Sequence, residues 1–244
     1  MSEILAALLL AHAVADFLLQ PDWMVRRKRE PWVLLAHAAV VLALSQLALG
    51  HVASPWVLGL AALHLAIDAV KTHLARPGLA AFLADQAAHL AVILGVALLA
   101  PDLWETGLWA ALPERFAALP HYMLLAAGLI LATRAGGVAV GLLMRAQAAE
   151  DPPARGLPKG GTTIGYLERG LIFILILSGQ PEATGFLIAA KSILRFGAVS
   201  EDRAASEYVI IGTLASFGLA IATALAVQHL ATGLPPLEIP GPTP

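Results

Sequence analysis

The sequence predicts an all-α polytopic membrane helical bundle of about eight transmembrane segments, whose N-terminal half is a tandem repeat of one helical hairpin. Three observations predict it. Of the residues, 59% are apolar and only 13% charged, with a mean hydropathy of +0.78, whereas an ordinary soluble domain carries about 25% charge. The apolar stretches are Ala/Leu/Val/Ile runs of helix-spanning length and lack the alternation of an outer-membrane barrel. Finally, adding 52 to His12, Asp16 and His37 lands on His64, Asp68 and His89, so residues 1–50 and 53–102 read as two copies of one hairpin.

Taken in order, the first span covers about 3–20 and ends at Gln20-Pro21-Asp22. With His12 and Asp16 in mid-span and no basic stretch before it, it reads as a retained helix and not as a cleaved signal. Arg26, Arg27, Lys28 and Arg29 follow, the densest basic run in the chain. A basic loop of this kind faces the cytoplasm, which puts the N-terminus outside. Spans two (32–50), three (56–74) and four (79–100) then alternate across the bilayer, with Lys71 and Arg76 again inside. The segment after them holds Asp102, Trp104, Glu105, Trp109, Glu114 and Arg115, and suits a helix lying flat at the outer interface. Span five (121–144) leads to a Pro/Gly-rich cytoplasmic linker, 145–162 with Arg155 and Lys159. Spans six (163–178) and seven (182–197) reach only about 24 Å at 1.5 Å per residue, short of the ~30 Å hydrocarbon core. They read either as tilted spans or as a re-entrant pair, the latter leaving six full crossings. After a polar turn at 198–206 comes span eight (207–231), then a Pro-rich tail. The expected division is 1–102 as a four-helix repeat, 103–162 as outer segment, fifth helix and linker, and 163–244 as C-terminal helices and tail.

The chemistry is expected in the repeat. Asp16, His37, Asp68 and Asp85 fall roughly five to seven residues from the cytoplasmic ends of their helices, and His12, His64 and His89 one turn deeper, so they form two adjacent polar layers. His12/Asp16, His64/Asp68 and Asp85/His89 are i, i+4 pairs, each projecting from one helix face. These seven side chains are candidate ligands for one or two divalent ions, Zn²⁺ or Mn²⁺ foremost and Fe²⁺ also suited, since imidazole and carboxylate mix in such sites and helical bundles host them. A carboxylate at membrane depth costs on the order of 2.5–3.5 kcal/mol, so three in one layer demand counter-charge. Buried His–Asp pairing without metal, or a proton pathway, are the alternatives. The repeat breaks at one point, where Val33 stands opposite Asp85.

A second polar set lies in the C-terminal half. Arg134, Arg169 and Lys191, with Glu168 beside them, are candidate substrate-binding residues for an anion such as a lipid phosphate, and Thr162, Thr163 and Gly165 would offer backbone N–H groups to it. Alternatively Glu168 pairs with Lys191 or Arg134 while Arg169 snorkels to the interface.

The runs HAVADFLLQ at 12–20, HLAID at 64–68, DQAAH at 85–89 and GYLERGLIFILILSGQPEATGFLIAAKSILRF at 165–196 resemble the bacterial multi-pass membrane family catalogued as domain of unknown function 3307. That resemblance implies the bacterial inner membrane and no particular activity. His-x3-Asp in paired helices is more weakly similar to membrane-bound metal-dependent hydrolases, which implies metal-assisted hydrolysis.

The leading functional expectation is therefore an intramembrane metal-dependent hydrolase. It would act on a lipid-linked or phosphorylated substrate from the cytoplasmic side, with Asp16, Asp68 or Asp85 as the catalytic base. A cation or proton-coupled transporter using the same layer, and a non-catalytic membrane partner docking a protein on residues 26–29, are the other readings. Membrane lipids are the expected surroundings and a homo-oligomer is open. A net charge of −2 points away from nucleic acid, and the absence of cysteine excludes disulfides and thiolate ligands.

Overall fold

The computed structural model describes residues 1–113, 116–147, 159–199 and 203–235. Glu114, Arg115, the linker from 148 to 158 with Arg155, the turn at 200–202, the side chain of Arg195 and the tail from 236 lie outside the described residues. Everything regular among the described residues is helical: α1 (Ser2–Phe17), α2 (Asp22–Arg26), α3 (Pro31–Leu49), α4 (Pro55–Leu74), α5 (Leu79–Leu99), α6 (Leu119–Ile130), α7 (Gly136–Arg145), α8 (Gly160–Leu177), α9 (Ala183–Val199) and α10 (Arg203–Ala231). A π turn at Leu131–Ala135 joins α6 and α7 into one helix, Leu119–Arg145.

Six of these helices are long and apolar enough to cross a membrane: Pro31–Leu49, Pro55–Leu74, Leu79–Leu99, Leu119–Arg145, Gly160–Leu177 and Ser206–Ala231. The chain is a multi-pass membrane protein. Its outward faces carry Leu35, Leu47, Leu63, Leu94 and Leu98, all exposed, while its polar side chains turn inward. A soluble bundle would do the reverse.

Sequence and structure differ over which segments are short. The sixth expected span takes in Gly160, Gly161 and Thr162 as its first turn and reaches 18 residues. The first, expected to run to residue 20, stops at Phe17 after 16 residues, a rise of about 24 Å. Its chain turns at Leu18 before Pro21 can disrupt it. Among the described residues no α-helix lies between α5 and α6. Two 3₁₀ turns, Pro101–Leu103 and Leu108–Ala111, dock instead on the end of α3, where Leu108 donates its N–H to Gly50 O at 2.9 Å and Trp109 its Nε1–H to Leu47 O at 2.7 Å. Gly50 caps α3 at φ +72°, and a Cβ there would strike Leu108 and Trp109, so glycine is required both for its backbone and for the contact.

By packing the chain divides into two compact units, Met1–Gly128 with the chain from His229 on, and Leu129–Gln228. In the first, α1 packs on α3, α3 on α4, α4 on α5, and α5 back on α1, closing a four-helix ring. Prolines open α3 and α4 at their first positions, where the missing N–H is no loss. α1 is the most enclosed: Ala6, Ala7, Ala11, Ala13 and Ala15 are each no more than 2% exposed, and such small side chains let neighbouring backbones approach in lipid. In the second unit α8 packs on the π turn, on α7 and on α9. α10 reaches α8 through Gln228, which donates to Ile176 O at 2.9 Å.

Candidate metal centre

The closed ring brings all seven predicted His and Asp side chains of the repeat into its core. His12, His37, His64, Asp68, Asp85 and His89 are buried, and Asp16 nearly so. Each helix contributes through its i, i+4 face: His12 and Asp16 from α1, His37 from α3, His64 and Asp68 from α4, Asp85 and His89 from α5. Because neighbouring helices run in opposite directions, residues near the C-terminal ends of α1 and α4 meet residues near the N-terminal ends of α3 and α5.

At the centre two imidazole nitrogens meet a carboxylate oxygen from each of α1 and α4. His37 Nε2 and His64 Nε2 stand 3.2 Å apart. Asp16 Oδ1 is 3.3 Å from the first and 3.6 Å from the second, and Asp68 Oδ2 is 3.6 Å from both. Donor atoms around an ion at roughly 2.0–2.2 Å in tetrahedral coordination lie about 3.3–3.6 Å from one another, and the two imidazole nitrogens stand at close to that spacing from each other and from each carboxylate oxygen. Two imidazole nitrogens this close cannot both carry protons or both present lone pairs without cost. One donating to the other satisfies the pair as a hydrogen bond, and an ion bound between them would take both lone pairs instead. His37 Nδ1, on the far side of its ring, is buried without a hydrogen-bond partner, as is Asp16 Oδ1.

Around this centre the remaining groups are differently occupied. Asp68 Oδ1 accepts from Lys28 Nζ at 2.6 Å, and Asp85 Oδ2 from Lys71 Nζ at 2.6 Å and Gln86 Nε2 at 3.1 Å. Gln86 Oε1 is 3.2 Å from His12 Nε2. The His89 ring stacks on His64 with centroids 4.1 Å apart, and neither of its nitrogens has a hydrogen-bond partner. Three overlapping groups have the spacing to hold a metal ion: His12, Asp16 and His64; His37, His64 and Asp68; and Asp68, Asp85 and His89, with ligand atoms in each lying within 4.8 Å of one another. On the far side of the histidine layer the wall is Leu8, Val41, Leu60, Val92 and Ile93 with Ser45, around a cavity of about 10 Å³, room for one water.

Lys28, Lys71 and Gln86 are site residues that sequence reading passed over. Lys28 sits in the basic run between α1 and α3, where charge signals sidedness, and Lys71 ends α4 in the same role. The available signal was stoichiometric, since three buried carboxylates need more positive charge than histidines guarantee at neutral pH.

The second unit holds the other predicted residues. Lys191 Nζ pairs with Glu168 Oε2 at 2.6 Å. Arg134, exposed, lies over the Tyr166 ring at 4.9 Å. Arg169 does not snorkel: it is 3% exposed, donating from Nη1 to Ser216 Oγ at 3.0 Å and from Nη2 to Thr133 O at 2.9 Å. Thr162 and Gly165 lie beside the same cavity as Arg169, and Thr163 begins the α8 backbone ladder on Lys159 O.

No curated protein and no solved structure matches the chain, and the weaker likeness to metal-dependent hydrolases gains no support. The family match ends before 165–196. Residues 4–109, which carry the entire His/Asp centre, match the family described as Protein of unknown function (DUF3307), the family this stretch resembles in sequence.

Proposed function

We propose that the chain is a membrane-embedded, metal-dependent hydrolase with one divalent ion held by Asp16, His37, His64 and Asp68. The observation that carries this reading is a pair of imidazole nitrogens 3.2 Å apart, each within 3.3 to 3.6 Å of an oxygen of Asp16 and of Asp68. Two nitrogen and two oxygen donors suit Zn²⁺ or Mn²⁺. Charge favours one ion over two. The three carboxylates are balanced in part by Lys28 and Lys71, leaving one negative charge, which a single divalent ion more than offsets and a second would overwhelm.

Asp16 pairs with no lysine among the described residues, so it is the ligand most able to give way to water. A bound ion would acidify that water. His89, with both nitrogens free of hydrogen bonds, or Asp85 through its free Oδ1 would take the proton. The substrate phosphate of a lipid-linked or phosphorylated molecule entering from the cytoplasmic leaflet would meet the ion itself, since Lys28 and Lys71 are held by Asp68 and Asp85. This reading carries with it the bacterial inner membrane, eight crossings counting α1 and α9, and an N-terminus outside.

Elemental analysis of the purified full-length protein tests the centre. About one equivalent of Zn or Mn per chain is expected, and its loss in His37→Ala. Metal at background levels, or unchanged in the variant, sinks the proposal. Phosphate release from anionic phospholipids by the loaded protein then tests hydrolysis.

A chain of ring contacts favours a second reading. His37, His64, His89 and His12 follow one another at centroid separations of 5.2, 4.1 and 5.3 Å, the spacing of a proton relay. The apolar wall beyond His12 and His89 weighs against it. Proton flux in liposomes that disappears with His89→Ala, in protein without hydrolytic activity, would put the relay first. Docking on 26–29 is the least supported, since Lys28 is spent on Asp68 and Arg27 on Glu30.

A further inference from the structure

The second compact unit contains a cavity of about 360 Å³ beside Arg169, whose wall includes Thr162, Glu168, Lys191, Tyr208, Thr213 and Ser216. Its charge is unbalanced. Lys191 and Glu168 cancel at 2.6 Å, whereas Arg169 pairs with no carboxylate among the described residues, and its Nε has no hydrogen-bond partner at all. A buried guanidinium left in this state is costly unless something anionic meets it.

The chain is built to admit that guanidinium. A Cβ on Gly165 would lie 2.9 Å from Arg169 Nη1, one on Gly137 3.0 Å from Nη2, and one on Gly136 3.3 Å from its Cδ. Three glycines thus clear the space the side chain fills. The π turn adds a carbonyl: Thr133 O accepts from Nη2, and π turns of this kind free backbone groups that a regular α-helix would consume. Gly161 and Thr162, in the first turn of α8, line the same cavity, and first-turn amides of a helix have no intrahelical acceptor.

From these contacts we infer that this cavity is a binding site for a phosphate group, with Arg169 as its fixed cation and the hydroxyls of Thr162, Tyr208, Thr213 and Ser216 as additional donors. Tetrahedral oxyanions accept from several directions, and a guanidinium with hydroxyls around it offers that geometry better than a planar carboxylate requires. The volume exceeds that of phosphate alone and suits a phosphorylated headgroup. The site stands in a different unit from the metal centre, and neither reading depends on the other.

Binding to the purified full-length protein in detergent tests the inference, with inorganic phosphate and short-chain phosphatidic acid as probes and phosphatidylcholine of equal chain length as control. Arg169→Gln should weaken binding by about ten-fold or more. Because that change also frees Ser216 and Thr133, Gly141→Leu provides a second arm. Gly141 lines the cavity and a Cβ there meets nothing within 4 Å, so a leucine side chain has room to enter and takes up space that the ligand would use. Saturable inorganic phosphate binding lost in both variants identifies a soluble phosphate ligand. Phosphatidic acid binding alone, lost in both, identifies a lipid headgroup. Binding of neither probe, or binding unchanged in Gly141→Leu, overturns the site.

Discussion

The two hairpins of the repeat carry the same His and Asp pattern yet do different things. A perfect two-fold would give two equivalent centres, one from Asp16, Asp68, His37 and His64, the other from Asp16, Asp68, His89 and His12. Only the first set converges. In the second, His12 turns to Gln86 and sits 3.8 Å from Asp16 Oδ2, while His89 lies 3.8 Å from Asp85 Oδ1. Four positions differ in the core: the first copy's Lys28, which pairs with Asp68, stands opposite Ala80, and three more differ the other way. Where the second copy has Lys71, Asp85 and Gln86, the first has Leu19, Val33 and Leu34, so only the second hairpin brings its own polar partners to occupy its side of the core. The repeat places the His and Asp side chains alike; the unequal positions around them give each half different partners.

Asp68 belongs to both potential sets and to Lys28, so its loss should have the largest effect. Asp68→Asn is expected to abolish metal retention and to lower stability in detergent by about 1–3 kcal/mol, because Lys28 loses its anion while only 12% exposed. Metal content near one equivalent in this variant would remove Asp68 from the ligand set.

The paired histidines sharpen the comparison. His37→Ala should weaken metal affinity by more than about 100-fold, beyond what loss of an outer-shell partner costs, and His89→Ala by at most about ten-fold. Competition titration with a chelator measures both, and equal losses would mean that the two halves share the ion symmetrically.

Making the second hairpin resemble the first is expected to do less. Lys71→Leu, Asp85→Val and Gln86→Leu together remove a cation, an anion and an amide, leaving His12 without its amide partner but no charge unpaired. Affinity should stay within about three-fold and stability stay level or rise slightly, as when apolar residues replace a buried pair. Loss of the ion would make Asp85 a ligand.

The smallest effect is assigned to the connector. Arg27 hydrogen-bonds Glu30 at 2.8 Å and holds its carboxyl below the ordinary glutamate range. Stabilisation from such a group is present above its unfolded value and fades as pH falls through the folded one. Being exposed, the pair adds little, so Glu30→Gln should leave metal content and the neutral-pH melting temperature unchanged. A clear drop in either would place Glu30 in the support of the centre.

Much of this was readable in one dimension. Spans three and four begin and end within about one residue of expectation, because Pro55 and Gly78 punctuate apolar runs whose length the bilayer sets. The common depth of Asp16, His37, Asp68 and Asp85 followed from helix direction alone. What did not follow was pairing across helices: the sequence could not say that His37 faces His64 and not His12, because that depends on how α3 rotates against α4. Lys28 was misleading for a physical reason, since a basic loop marks sidedness whether or not one of its amines reaches inward. Arg169 was open to snorkelling until Gly136, Gly137 and Gly165 were found cleared around it. A Gly-Gly pair in one span with an Arg in another was the hint.

Lys28 belongs to the stretch that joins α2 to α3, outside the apolar helices, yet its amine rests on Asp68 in the middle of the ring. That stretch is therefore a stopper as well as a tether: drawing it away would strip a buried carboxylate of its cation, so the connector's seat and the charge state of the ring's centre are one and the same matter.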